Sequence, residues 1–284
     1  MGLHLIIATH ALGHLPSVIE SIRRSPLAPA TMVVTCDGVR ADLADYLRSA
    51  WPRLPAPAIL VQRPHKGVAR RGQTRNNGVR AIRARLQPAD MLYFLDGDIC
   101  LDTRHFSALA ALRRCSVVIG RVQRLSAAAT ARLERRLQQG LDCALPLAQR
   151  LAYARKVAKA KATCWLRRLA CGPVARGIPP YWPDLRSGNC AVRAEDFFRV
   201  NGFDESMLGW GFEDSDLGLR LYRAGARVTT FPWGCTAYHL WHAPAGGATP
   251  QPRPARWAAA TGYRTPHGLD AAFDQAESEL QITG

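Results

Sequence analysis

The sequence lacks the features that mark a secreted, zinc-stabilised or membrane-spanning protein. Its eight cysteines include no Cys-x-x-Cys pair, and no Cys/His group has the spacing of a zinc finger. The chain opens without a basic stretch followed by an apolar one, and no window approaches the roughly 20 apolar residues that a membrane span needs. We therefore expect a cytoplasmic protein whose cysteines are reduced and buried, and any membrane contact to be peripheral.

Acidic residues are scarce relative to basic ones, with 22 Asp and Glu against 38 Lys and Arg in 284 residues. The resulting charge of +16 favours anionic partners, such as nucleic acid, acidic lipid or a phosphorylated substrate. Most of the excess lies in residues 121–176, here called the basic segment, which holds thirteen Lys or Arg and two acidic residues. Its Ala- and Leu-rich pattern predicts two helices, broken near Gly140 and Pro146.

Three interpretations of the basic segment stay open at this point. The segment could dock on anionic lipid of the inner membrane face, close to a lipid-linked acceptor. It could instead bind an acidic acceptor, or it could be an ordinary solvated helix pair. Its aromatic residues are few, with Tyr153 and Trp165 alone among them. Because single-stranded nucleic acid is usually held by interleaved aromatic and basic side chains, we expect no specific nucleic-acid partner.

The first hundred residues alternate between short apolar runs and helical patterns. The apolar runs are residues 3–8, 31–35, 59–61 and 91–95, and the helical patterns between them are residues 16–24, 41–50 and 72–86. Such alternation predicts an α/β fold with a mostly parallel central sheet flanked by helices. Near-continuous apolar strands fit burial on both faces of the sheet.

The remainder of the chain divides less regularly. We expect one α/β domain over residues 1–242, into which the basic segment is inserted as helices. Residues 243–284 begin with Gly and Pro and predict a mobile loop, followed by a short amphipathic helix near residues 269–280.

Polar residues follow the apolar runs, where the carboxyl ends of parallel strands gather and ligands bind. Asp96 and Asp98, separated by Gly97, could share a divalent cation and so counter a diphosphate, although such a turn also forms simply because Asp caps the backbone. Asp37 ends the second run and fits either hydrogen bonding to a nucleotide or a plain turn. Thr9 and His10 follow the first run.

The stretch from Gly209 to Asp214, Gly-Trp-Gly-Phe-Glu-Asp, is the most specific pattern in the chain. Glycines around Trp210 allow a tight turn that presents the indole to a sugar. Glu213 and Asp214 then begin a helix, where acidic residues also serve as caps.

Two further features are weaker. Arg75 places a guanidinium on a predicted helix, either near a phosphate or in solvent. His239 and His242 could complete a metal shell begun by the Asp pair, although histidines are often structural.

In this order, the motifs resemble those of GT-A glycosyltransferases of the family 2 type with a galactosyltransferase-like C-terminal motif. This motif is shared with β-1,4-galactosyltransferases, chondroitin-polymerase-type enzymes and polypeptide GalNAc-transferases. The resemblance covers residues 3–100 and 184–242 and leaves out the basic segment and the tail. It rests on Thr9-His10 (with His where Asn or Arg is more usual), Asp37, Arg75-Asn76, Asp96-Gly97-Asp98, Gly202-Phe203-Asp204-Glu205, Trp210-Gly211-Phe212-Glu213-Asp214 and His239.

The resemblance implies a GT-A, Rossmann-like fold and a role for each matched residue. The metal would be Mn²⁺ or Mg²⁺, held by Asp98 and His239, with Asp96 as a further candidate ligand and His242 as the rival of His239. Nucleotide contacts would come from Thr9, His10, Asp37, Arg75 and Asp96. Sugar contacts would come from Trp210, Gly211 and Asn189.

The resemblance also implies a mechanism. Asp214 would be the general base, Glu213 would bind the acceptor or donor sugar, and the reaction would invert the anomeric configuration. The GalNAc-transferase branch, which retains configuration, usually has Asn where Asp214 stands. We therefore expect metal-dependent transfer of a hexose from a UDP-sugar to a hydroxyl of a glycan, lipid-linked glycan or other glycoconjugate. Galactose, GalNAc and glucuronic acid are the favoured sugars.

Three alternatives remain for comparison. The first is a retaining transferase of the GalNAc-transferase type. The second is nucleotidyl transfer to a sugar phosphate, which the sequence disfavours because no Gly-rich phosphate loop follows the first apolar run. The third is a non-enzymatic basic protein that binds membrane or nucleic acid, the latter with steeply salt-dependent affinity.

Overall fold

A computed structural model describes residues 1–112, 114–143, 151–155, 158–159, 162, 166, 185–209, 211–231, 235–243, 262–270 and 278–280. The strands are β1 (Leu3–Thr9), β2 (Thr31–Asp37), β3 (Ala58–Arg63), β4 (Met91–Asp96), β5 (Ile99–Leu101), β6 (Val117–Ile119), β7 (Val122–Arg124), β8 (Asn189–Arg193), β9 (Val228–Thr230), β10 (Ala237–His239) and β11 (Ser278–Leu280). The helices are α1 (Leu15–Arg23), α2 (Ala41–Ala50), α3 (Arg71–Arg80), α4 (His105–Ala111), α5 (Ala127–Gln138), α6 (Ala194–Arg199) and α7 (Glu213–Arg223).

A large mixed sheet has the strand order β11-β3-β2-β1-β4-β8-β6-β9. Its centre, β3-β2-β1-β4, is parallel, and β8 pairs antiparallel with both β4 and β6. Ala8 lies opposite Asp96 and Thr9 opposite Cys36 in the ladders, so β1, β2 and β4 end at one edge. The predicted mostly parallel α/β sheet is confirmed, and its carboxyl edge gathers the polar residues that follow the strands.

A second, three-stranded sheet lies beside this edge, with the order β5-β10-β7. His239 of β10 pairs with Ile99 of β5 on one side and with Arg124 of β7 on the other. Because β5 begins one residue after Asp98, this pairing brings the backbone of His239 to the Asp96–Asp98 turn.

Both faces of the large sheet are covered by hydrophobic cores, as continuous apolar strands require. Leu5 and Ile7 of β1 point to one face, which α1, α2, α4 and α5 cover. Ile6 points to the other face, where Phe94 and residues of α3, α6 and α7 pack. The alternation follows the two-residue period of a strand, and the strands are thereby fixed in register.

Three boundaries differ from the sequence-based expectation. The helix predicted over residues 72–86 ends at Arg80, because Ile82 leaves helical geometry (φ −117°) and is buried in the core before a short 3₁₀ turn at Arg83–Arg85. The basic segment opens with the strand β7 rather than a helix, since β10 offers it an edge to pair with. Its first helix is present as α5 and stops just before Gly140, whose φ of +83° is favourable to glycine.

The C-terminal expectations are only partly within the described residues. The predicted mobile loop falls largely on residues 244–261, which lie outside them. The predicted tail helix is wrong over Ser278–Leu280, which instead form β11 against the free edge of β3. Residues 262–270 are tied to the domain, for example by the Asn201 side-chain amide donating to the Thr265 carbonyl at 2.8 Å.

Among the described residues, no helix is both long enough and apolar enough to cross a bilayer.

Candidate active site

The turn between β4 and β5 carries the Asp pair and is built around Gly97. A Cβ atom at Gly97 would lie 2.7 Å from the Thr9 hydroxyl oxygen, and the Gly97 N–H donates to the Ala8 carbonyl at 2.8 Å. The turn therefore packs directly against the end of β1, which only glycine permits. Asp96 and Asp98 leave this turn on either side of Gly97.

Asp98, His239 and His242 form a cluster with the geometry of a metal site. Asp98 Oδ2 lies 3.6 Å from His239 Nε2 and 3.1 Å from His242 Nε2, and one ligand atom from each residue falls within 4.8 Å of the others. The second oxygen, Asp98 Oδ1, is buried and has no hydrogen-bond partner among the described residues. A carboxylate with two imidazoles suits a divalent first-row metal ion, and the unpartnered oxygen is available to such a cation.

The electrostatics of the cluster agree with this fit. Burial and the neighbouring charge of Asp96 raise the pKa of Asp98, and His239 and His242 oppose that shift. Ionising this carboxyl group is costly in the metal-free protein, and a cation bound beside it would reduce that cost. Both histidines, which sequence reasoning treated as rivals, reach the same carboxylate.

Arg75 is the buried cation beside this cluster. Its side chain is 4% exposed on α3, and Nη2 donates to Asp96 Oδ1 at 2.7 Å. Burial by itself lowers the pKa of Arg75, but the charges of Asp96, Asp214 and Glu213 raise it on balance. One guanidinium therefore faces the Asp pair on one side and the start of α7 on the other.

Close packing keeps Asp96 beside Arg75. A Cβ atom at Gly188 would come within 2.5 Å of Asp96 Oδ2, so this position, like Gly97, excludes a side chain. The Asp96 N–H donates to the Gly188 carbonyl at 3.1 Å.

The start of α7 places Glu213 and Asp214 together. Gly211 (φ +109°) and Phe212 (φ +67°) are both left-handed, which turns the chain sharply into the helix. Glu213 is buried and accepts a hydrogen bond from the Gly211 N–H at 3.2 Å. Burial and Asp214 raise the pKa of Glu213, while Arg75 lowers it.

Asp214 is half-buried and accepts a hydrogen bond from the hydroxyl of Ser187, which is fully buried. This contact was not anticipated from the sequence. Ser187 stands two residues before Asn189, and no local pattern indicates that a residue 27 positions away from Asp214 would reach it.

Asp37 lies at the same edge but is already surrounded by protein donors. Oδ1 is 2.6 Å from Arg63 Nη2 and 3.2 Å from His65 Nδ1, and Oδ2 accepts from the Arg70 N–H at 2.8 Å. The buried Arg63 and the exposed His65 were not singled out from the sequence. Any nucleotide contact at this position would therefore involve a group of side chains rather than Asp37 alone.

The remaining predicted residues occupy different settings. The Thr9 hydroxyl donates to the Ala11 carbonyl at 2.7 Å, and His10 is exposed at the edge. Asn189 is buried, where its side-chain oxygen accepts from the Tyr93 hydroxyl at 2.5 Å, so it lies within the scaffold rather than at the open edge. Gly211 is half-buried beside Glu213, and Trp210 lies outside the described residues.

Replacing Arg75 with Met removes the buried cation and leaves Asp96, Glu213 and Asp214 to repel one another. We expect the free energy of unfolding near neutral pH to fall by about 2–3 kcal/mol. This is less than for a fully buried pair, because the Asp96 side chain is 33% exposed.

The loss is expected to shrink in acid. A carboxyl whose folded pKa is raised, as for Glu213, destabilises the folded state increasingly as the pH rises above its ordinary value of 4.5. Urea denaturation near neutral pH and at about pH 4.5 measures the effect, with the exposed Arg48→Met as control. An equal loss at both pH values would contradict the assignment.

Comparisons with known proteins place the chain among related sequences and folds. Residues 167–243 match the family model described as the N-terminal domain of galactosyltransferase. The validoxylamine A glucosyltransferase of Streptomyces hygroscopicus subsp. jinggangensis (strain 5008) is 47% identical over 53 residues, which is 18% of this chain. The match spans only 13% of that relative's length.

Two solved structures resemble most of the chain. S. aureus TarS 1–349 in complex with UDP-GlcNAc aligns with a TM-score of 0.52 at 12% identity, covering 92% of this chain and 61% of that one. GalNAc-T7 with UDP, GalNAc and Mn²⁺ aligns with a TM-score of 0.53 at 13% identity, covering 85% and 44%. The chain therefore has the GT-A glycosyltransferase fold, and its resemblance to GT-A enzymes with a galactosyltransferase-like motif is confirmed.

Proposed function

We propose that this protein is a metal-dependent glycosyltransferase that moves a hexose from a UDP-sugar to a hydroxyl acceptor. The observation that carries the proposal is the juxtaposition of two clusters at one sheet edge. The first is the Asp98–His239–His242 cluster, and the second joins Glu213 and Asp214 to Asp96 through Arg75. The comparison proteins support the donor class, since one was solved with UDP-GlcNAc and another with UDP, GalNAc and Mn²⁺.

The metal would be held by Asp98, His239 and His242. Two imidazole ligands favour Mn²⁺ over Mg²⁺, which prefers oxygen ligands. The ion, when bound, offsets negative charge on the leaving diphosphate. Around it, Thr9, His10, Asp37, Arg75 and Asp96 line the edge where the nucleotide would lie.

Asp214 is the proposed general base. The hydroxyl of Ser187 donates to one carboxylate oxygen, and the other oxygen would take the acceptor's proton. The acceptor oxygen then attacks the anomeric carbon from the face opposite the diphosphate, the bond to the diphosphate oxygen breaks, and its electron pair leaves with the UDP. This arrangement inverts the configuration, and a carboxylate at position 214 disfavours the retaining alternative.

Glu213 is proposed to bind a sugar hydroxyl. One of its carboxylate oxygens accepts from the Gly211 N–H at 3.2 Å, and the carboxylate can likewise accept a hydrogen bond from a sugar hydroxyl. Trp210 and Gly211 lie three and two residues before it in the chain, so the same turn is proposed as the wall of the sugar pocket.

The acceptor is proposed to be a glycan or lipid-linked glycan, with the protein at the cytoplasmic membrane face. In the described part of the basic segment, Arg124, Arg132 and Arg135 are exposed and available to anionic lipid. An acidic acceptor would form ion pairs with the same arginine side chains.

Removal of the metal ligand tests the first cluster. Calorimetry is expected to show UDP binding that requires Mn²⁺ or Mg²⁺, is abolished by EDTA, and falls by at least about tenfold in Asp98→Ala. Asp45→Ala, at a side chain that is 72% exposed on α2, should bind like the unmodified protein. UDP binding that is unaffected by EDTA would rule out the metal assignment.

Asp214→Asn tests the base. The substitution keeps the shape and the contact with Ser187 but removes the proton acceptor, so transfer should fall by about 10² or more while UDP-sugar affinity stays nearly constant. NMR of the product of the unmodified enzyme should show an inverted anomeric centre. Undiminished transfer by the variant would exclude Asp214 as the base.

A donor panel tests the sugar. With Mn²⁺ present, thermal unfolding is measured with UDP-galactose, UDP-GalNAc, UDP-GlcNAc, UDP-glucose and UDP-glucuronic acid. A ligand that binds only the folded state raises the unfolding temperature, so the donor that binds most tightly gives the largest increase. We expect this donor to be UDP-galactose, UDP-GalNAc or UDP-glucuronic acid, the sugars that the family resemblance favours. A larger effect of UDP-glucose or UDP-GlcNAc would correct the proposed sugar.

A further inference from the structure

The two histidines of the metal cluster lie at the end of β10, which is His239, and in the irregular backbone that follows it, which carries His242. At its start, the Leu125 N–H donates to the His239 carbonyl at 2.9 Å, and the Leu240 N–H donates to the Asp98 carbonyl at 2.9 Å. These bonds fix the His239 end. The other end is less buried, because the side chains of Trp241 and His242 are both at least 42% exposed. Hydrophobic packing therefore does not hold His242 in place.

The peptide groups of Trp241 are instead held by side chains from elsewhere. Its N–H donates to the Thr130 hydroxyl oxygen at 2.8 Å, and its carbonyl oxygen lies 3.0 Å from His14 Nε2. Because a carbonyl oxygen only accepts, Nε2 of His14 is the donor. Both polar groups of the residue next to His242 are thus satisfied by side chains.

His14 is itself oriented on its opposite side. Its Nδ1 lies 2.8 Å from Glu134 Oε1, and the Ser17 hydroxyl donates to the same carboxylate oxygen at 3.3 Å. Thr130 and Glu134 are one turn apart on α5, and His14 immediately precedes α1. Side chains at the start of α1 and on α5, two helices that pack on each other, therefore converge on the main chain of Trp241.

We propose that His14, Thr130 and Glu134 form a clamp that positions the His239–His242 segment for metal binding. The proposal rests on the metal site of the proposed function. His14 and Glu134 are about three-quarters buried, so their contact is shielded from the solvent screening that makes surface pairs weak. Partners that orient metal ligands typically change metal affinity by about 10–100-fold when removed.

Positioning and charge repulsion predict opposite changes in metal affinity when His14 is removed. A protonated His14 would place a positive charge near Asp98, alongside those of His239 and His242. If the main effect of His14 were repulsion of the cation, its removal would tighten metal binding. A positioning role predicts weaker binding instead.

The test is a Mn²⁺ titration of the full chain followed by electron paramagnetic resonance, without donor or acceptor. His14→Ala and Thr130→Val should each weaken Mn²⁺ binding by about tenfold, and Thr130→Ser, which keeps the hydroxyl, should restore it to near the original value. Gln138→Ala, at an exposed position of the same helix, is the matched control and should bind normally. The unfolding temperature of each variant is measured without metal, so that weaker Mn²⁺ binding is read only from chains that are folded.

Unchanged or tighter Mn²⁺ binding in His14→Ala would overturn the clamp and leave the proposed function standing. Weak binding by Thr130→Ser as well as Thr130→Val would overturn it too, since the hydroxyl would then not be the relevant group. If Thr130→Val fails to fold, His14→Ala and Thr130→Ser still decide the question. A failure of the unmodified chain to bind Mn²⁺ would remove the metal site and the clamp together.

Discussion

The ion pair between Arg75 and Asp96 is the interaction on which the site depends. Asp96, Glu213 and Asp214 come together at one sheet edge, and charges of one sign repel strongly where water is partly excluded. The positive charge of Arg75, which is almost fully buried on α3, offsets that repulsion. Without this cation the start of α7 and the turn after β4 would be driven apart, and the two halves of the site with them.

The Asp-x-Asp turn divides its two carboxylates between two sheets. Asp96 ends β4 of the large sheet and faces Arg75, whereas Asp98 precedes β5 of the small sheet and faces His239 and His242. Gly97 makes the division possible because any side chain there would collide with Thr9. Two residues that look equivalent in sequence thus have different partners. Asp98 belongs to the candidate metal cluster, whereas Asp96 belongs to the group of carboxylates that Arg75 neutralises.

The sequence predicts local features of this protein better than contacts between distant segments. Strands β1 to β4 were anticipated because buried parallel strands are continuous apolar runs, and α2 matched the predicted helix because its periodicity is clean. The strands β7 and β11 are not predicted, since each owes its conformation to pairing with the edge of a strand that is distant in the sequence.

The site shows the same difference between local patterns and distant contacts. Asp98, Glu213 and Asp214 stand in recognisable patterns, but the contacts of Ser187 with Asp214 and of His14 with Trp241 span 27 and 227 positions. The roles of the motif residues remain predictions, although the structure brings most of them to one edge.

The strand β7 bears on how such a protein can diversify. It begins the basic segment, yet it pairs with β10 beside His239, and α5 after it supplies Thr130 and Glu134. The insertion is therefore part of the support of the site at least as far as α5, and residue 121 is not the boundary of a separate appendage. Recombination that cuts the chain before β7 would therefore remove the support of the histidines along with the basic charge.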